Sequence, residues 1–124
     1  DVQMPAIILS NNGDEESAER KDASPTTCDP RLLVLVGSQL SNGLQKAGLA
    51  HDIHYNLVFK GKHVIQAHTD WPKNHFRQSF QVEYSTALTH DQQTLEAIPG
   101  RLALFRSIAE HALLQAYNQY KLLQ

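Results

Sequence analysis

The chain has one cysteine in 124 residues, Cys28, so no intrachain disulfide can form. A thiolate zinc site would need histidines to complete it. The Pro25-Thr26-Thr27 stretch before Cys28 lacks the small apolar residues that precede a lipidated cysteine. No apolar run approaches the ~18–20 residues that a membrane helix needs. Positive charge is not in excess: 11 Lys and Arg face 13 Asp and Glu, for a formal charge of −2. Such a chain lacks the electrostatic footprint that dominates binding to phosphate backbones, so nucleic acid is not an expected partner. No basic-then-apolar leader opens the chain, and the compartment stays open.

What is present is alternation. Ile53, Tyr55, Leu57 and Phe59 fall on odd positions with His54, Asn56 and Lys60 between them. Phe76, Phe80, Val82 and Tyr84 fall on even positions with Ser79, Gln81 and Glu83 between them. Side chains along a strand point alternately to opposite faces, so each run describes a ribbon with one apolar face. Lys60-Gly61-Lys62 marks a hairpin to a further strand at about 63–68. Trp71-Pro72-Lys73-Asn74 reads as a loop, because Pro72 holds Trp71 extended.

Helices flank these runs. Asp29 is a side-chain acceptor for first-turn amides and Pro30 suits the first helical position. Leu33, Val36, Leu40, Leu44 and Ala47 then form one stripe, and Gly48 followed by Leu49 fits a left-handed cap. The first helix is expected over about 30–47. Leu32–Gly37 also reads as a buried strand before a glycine turn, yet the spacing and lysine of a phosphate loop are missing. Pro99-Gly100 opens a final helix over about 100–122, with Leu102, Phe105, Ile108, Leu113, Tyr117 and Tyr120 in its apolar stripe.

The expected fold class is α+β. It is a two-layer sandwich with an antiparallel sheet of three to four strands and two helices on one face, in the order β-α-β-β-β-α. Residues 1–9 are expected as an edge strand because Pro5 cannot donate to a ladder. Residues 10–28 hold no large apolar side chain and cluster Asp14, Glu15, Glu16, Glu19, Arg20, Lys21 and Asp22, so they read as a mobile charged linker. Residues 29–124 make one domain. The expected core comprises Tyr55, Leu57, Phe59, Phe80, Val82, Leu102, Phe105, Ile108 and Leu113.

The helix, three strands, helix order over Asp29 to Leu123 resembles that of double-stranded-RNA-binding domains, and that resemblance implies RNA binding as one alternative. Those domains carry a basic cluster at the start of the last helix; here Arg101 and Arg106 are the cations at that place.

Chemistry is sparsely signalled. Asp52 with His54, and His68 with Asp70, are carboxylate-imidazole pairs two apart, suited in type to zinc or non-haem iron. The seven histidines show no HxxxH or HExxH spacing, and no serine sits in a GxSxG elbow. No catalytic, metal or cofactor residue is therefore specified. The main expectation is a non-enzymatic protein-binding or assembly domain. It would work through an exposed sheet face or edge strand, with His54, Lys60, Trp71 and Glu83 contacting another protein or a second copy. The alternative is a small enzyme or metal-binding protein using strand histidines and carboxylates.

Overall fold

In the computed structural model, residues 4–18, 20, 25–57, 65–74 and 77–124 are described. Strand β1 (Ile7–Ser10) leads into α1 (Pro30–Lys46), β2 (Ile53–Tyr55) and β3 (Gln81–Tyr84). A 3-10 turn at Thr86–Leu88 and the long helix α2 (Arg101–Lys121) follow. The α+β class and both helices match expectation, while the described strands number one fewer. The expected strand at 63–68 lies partly outside the described residues, and residues 65–68 form a helical turn closed by His68 N–H on the Ile65 carbonyl.

The first helix follows from its ends. Asp29 accepts from the Arg31 amide at 3.0 Å and Pro30 occupies the first turn. At the far end Gly48 has φ 73°, which glycine adopts without a Cβ penalty. Gly48 N–H then reaches the Gln45 carbonyl at 3.0 Å and Leu49 N–H the Leu44 carbonyl at 2.9 Å. These two bonds satisfy carbonyls that the helix leaves open.

The sheet corrects the expected topology. Its order is β2-β1-β3, so the segment expected at an edge is the middle strand. Pro5 lies outside the ladder that Ile7–Ser10 forms, and its missing donor costs the sheet nothing. β1 pairs with β2 in parallel and with β3 in antiparallel fashion, so the sheet is mixed. A parallel neighbour needs a crossover, and α1 supplies it: β1, α1 and β2 form a βαβ unit. The middle strand precedes the first helix, so the likeness to RNA-binding domains does not extend to how the sheet is built.

The alternation is confirmed by register. Ile7 opposes Ile53 and Tyr84, and Leu9 opposes Tyr55 and Val82, placing these side chains on one face. Both helices cover that face. A Cβ on Gly37 of α1 would run into Tyr55 Oη and meet Ile53 Cγ2 at 3.4 Å. On α2, Phe105 stacks on Tyr84 with ring centroids 4.6 Å apart. The core is Ile7, Leu9, Leu33, Val36, Leu40, Leu44 and Leu88 with Phe105, Ala112, Ala116 and Tyr120.

The expected core is right for Phe105 and too broad elsewhere. Leu102, Val82 and Leu113 are exposed, Tyr55, Leu57, Phe80 and Ile108 are half-buried, and Phe59 lies outside the described residues. The helices approach closely where a Cβ on Gly43 would meet Ile108 Cγ2 at 2.7 Å. Close approach over Gly43, Ala112 and Ala116 narrows the buried seam, leaving larger side chains beside it in solvent.

Two truncations measure this seam. Phe105→Ala is expected to cost about 3–5 kcal/mol in chemical denaturation, the usual loss for a buried aromatic. Leu113→Ala, 41% exposed, is expected to cost under about 1 kcal/mol.

Candidate functional site

Parallel strands of α/β units offer ligand sites beyond their carboxyl ends. Here β1 and β2 both end at asparagines, Asn11 and Asn56, and these two hold each other. Asn11 N–H donates to Asn56 Oδ1 at 2.9 Å, and Asn56 Nδ2 donates to Asn11 Oδ1 at 2.9 Å. Asn11 Oδ1 also accepts from Gly13 N–H at 3.1 Å, while Asn11 Nδ2 donates to the Ser17 carbonyl at 2.8 Å. Asn56 Nδ2 further reaches the Asp14 carbonyl at 2.7 Å. Both side chains are buried, and in a low-dielectric interior each such bond is costly to leave unmade.

The backbone turns left-handed at the same place. Asn12, Ser17 and Asn56 have φ of 61°, 65° and 53°, a region that L residues other than Asn and Asp seldom visit. Residues held there persist when surrounding contacts overdetermine them, and such residues cluster at functional sites.

In the segment expected as a mobile charged linker, several described residues pack into the fold. Ser10, Asn11, Asn12, Ser17, Thr26 and Thr27 are all buried. Thr27 N–H donates to the Asn11 carbonyl at 2.8 Å, and Ser79 N–H donates to the Thr27 carbonyl at 3.0 Å. Thr27 Oγ1 in turn donates to the Ser79 carbonyl at 2.8 Å. Hydrogen bonds order this segment instead of apolar burial. Trp71 adjoins the same packing: its Nε1 donates to Thr26 Oγ1 at 3.1 Å, and its side chain is half-buried.

Next to it lies Cys28. Burial pushes its thiol up to about 12, with the Asp29 charge adding to the rise and a hydrogen bond with Asn11 opposing it. The group is a neutral thiol at physiological pH and no nucleophile. For Asp29, burial pushes the carboxyl up. Hydrogen bonds from the Arg31 side chain and amide and from Tyr120, with the Arg31 charge, outweigh burial and hold it below its usual value. Arg31 Nη2 stands 2.7 Å from Asp29 Oδ2, and Tyr120 Oη donates to the same oxygen at 3.0 Å. Gln78 Oε1 also accepts from Asp29 N–H. This cluster fastens the end of α2 to the start of α1.

The opposite sheet face carries the titratable residues. Register places His54 and Glu83 on either side of Ile8. Two strand spacings separate them, roughly 10 Å between backbones. They share a face without touching. Gln81 Nε2 donates to Glu83 Oε1 at 3.3 Å, and His54 Nε2 lies 3.9 Å from Asp52 Oδ2. Asp52 is itself tied inward, its Oδ1 accepting from Ala6 N–H at 3.1 Å. The face expected to be open is closed at its centre: Ile8 and Ser10 are 1% and 0% exposed, whereas the His54 side chain is 52% exposed. Lys60 lies outside the described residues. Among the described residues no three His, Cys, Asp or Glu side chains gather into a metal-binding group. The Asn11–Asn56 pair was missed because asparagines in polar stretches resemble ordinary loops; the one available signal was their position directly after two apolar runs.

No protein-family model and no curated protein sequence matches the chain. Among solved structures, it is similar to N-formylglutamate amidohydrolase from Ralstonia eutropha JMP134, with a TM-score of 0.59 at 23% identity. The match covers 93% of this chain and 34% of that one, so the chain spans about a third of the enzyme's length. The likeness is one of fold. It overturns the expectation of a non-enzymatic assembly domain, because the architecture is one found within an enzyme.

Two measurements follow from the site. Asn11→Ala is expected to lower stability by about 1–3 kcal/mol, since it strands the buried Asn56 amide. Asp29 has a depressed folded pKa, so its contribution is present above the unfolded value of about 3.9 and is lost as pH falls through the folded one. The slope of stability against pH below about pH 4 should therefore be shallower in Asp29→Asn. An unchanged slope would remove Asp29 from that account.

Proposed function

We propose that this chain is part of an amide-hydrolysing enzyme acting on a small N-acylated amino acid of the N-formylglutamate kind, with Glu83 as its base. The observation that carries this reading is the fold likeness over 93% of the chain to an enzyme of that activity. The arrangement at β3 supports the choice of residue. Glu83 is half-buried at the third position of its strand, beside the middle strand, with one carboxylate oxygen held by Gln81. A carboxylate held on a strand is more rigidly aimed than one on a loop.

The chemistry such a group performs is limited and specific. A carboxylate takes a proton from water as the water oxygen adds to the amide carbonyl, giving a tetrahedral intermediate. The same proton is then delivered to the leaving nitrogen as the C–N bond breaks, releasing a carboxylate and an amine. His54, held near Asp52 at the far margin of the face, is the second titratable group suited to bind or polarise substrate there. The Asn11–Asn56 pair acts as a positioning device, fixing the ends of β1 and of β2, from which His54 projects.

The test is formate release from N-formyl-L-glutamate by the purified protein and by its Glu83→Gln variant. Removal of a general base is expected to lower kcat by about 10²–10⁴-fold with the fold intact by circular dichroism. No release by the unaltered protein, or release unchanged in the variant, would overturn the assignment.

A further inference from the structure

The two helices leave a concave surface on the side of the sheet away from Glu83 and His54. Contacts place α1 and α2 in opposite senses: Asp29 at the start of α1 meets Tyr120 near the end of α2, while Gly43 meets Ile108. Because Gly43 has no side chain, the helices close down on Ile108 at that point. A groove of about 290 Å³ opens there, lined from α1 by Gln39, Asn42 and Lys46 and from α2 by Ser107 and His111. The α1 residues recur at the three- and four-residue spacing of one helical stripe, next to the buried Leu40 and Leu44 stripe.

Its lining offers hydrogen-bond donors and one cation. Lys46 carries a fixed positive charge, the two carboxamides and the Ser107 hydroxyl can donate, and an imidazole always has at least one ring N–H. No carboxylate lines the groove, although the whole chain has more Asp and Glu than Lys and Arg. Among the described residues, no ion pair engages Lys46 or His111. Ile108 supplies an apolar floor. Donors lining one groove beside an apolar floor, with no acidic residue to compete, suit a small anion.

We propose that this groove binds a small anion, a carboxylate or phosphate group held by Lys46, Ser107 and His111, with any short apolar tail against Ile108. The site is separate from the proposed hydrolytic face and does not depend on that reading. A ligand there bridges the two helices and stabilises their packing by mass action.

The experiment is calorimetric titration of the full chain with inorganic phosphate, with butyrate, and with neutral butyramide of similar shape. At least one anion is expected to bind saturably and butyramide not at all. Lys46→Gln should weaken that binding about tenfold, the size of one charge-assisted hydrogen bond, while Lys46→Arg largely retains it. Preference for phosphate assigns a phosphoryl head group; preference for butyrate assigns a carboxylate with an apolar tail. Absence of saturable binding by either anion overturns the proposal. So does equal binding of butyramide, or anion binding unmoved in both Lys46→Gln and His111→Asn. Lys46 and His111 are exposed, so both variants should fold, and unchanged melting temperatures check this.

Discussion

Placing Ile7–Ser10 between two other strands is the constraint from which the rest of the molecule follows. A middle strand is hydrogen-bonded along both edges, and all four of its residues are buried. Its parallel neighbour cannot be reached by a tight turn, so α1 must cross over the sheet to return the chain in the same direction. The described residues between β1 and α1 pack against the carboxyl end of the sheet. There they cover backbone groups that water can no longer reach, and those groups need partners. Asn11, Asn56, Ser17 and Thr27 take part in that pairing.

Order without apolar burial is the consequence of most interest for function. The segment after β1 contains no large apolar side chain, yet its buried residues are as inaccessible as those of the core. Such order depends on every bond being made, because a buried polar group left alone costs more than a made bond gains. It also fixes atoms closely, as the left-handed backbone at Asn12, Ser17 and Asn56 shows. A surface defined in this way can aim groups from adjoining strands. The same fold occurs within an amidohydrolase, and here Glu83 and His54 share one face of the adjoining sheet, two strands apart.

How much of this was legible in the residues depends on which forces leave a trace in sequence. Asp29-Pro30 and Gly48 mark a helix end through local bonding, and α1 runs from Pro30 to Lys46. Alternation around Tyr55 and Val82 reports the face of each side chain, and the register agrees. Neither pattern says which strand is in the middle, since pairing is a long-range choice. Pro5 pointed to an edge, but a proline one step outside the ladder removes no bond. Composition measures capacity for apolar burial alone, so the polar network was invisible and its segment looked mobile. Leu102 and Leu113 were counted as core because α2 looks apolar over a wide arc. The helix crossing at Gly43 and Ala112 buries only part of it.

Native-state hydrogen exchange at the amides of Asn11, Gly13, Thr27 and Asn56 tests the central claim most directly, since each amide is bonded inside the polar network. Protection approaching that of Leu40, in the middle of α1, is the predicted result, because the network and the core should then open together. Exchange at the rates of an unstructured peptide, with Leu40 still protected, would contradict the account and return the segment to a loose connector.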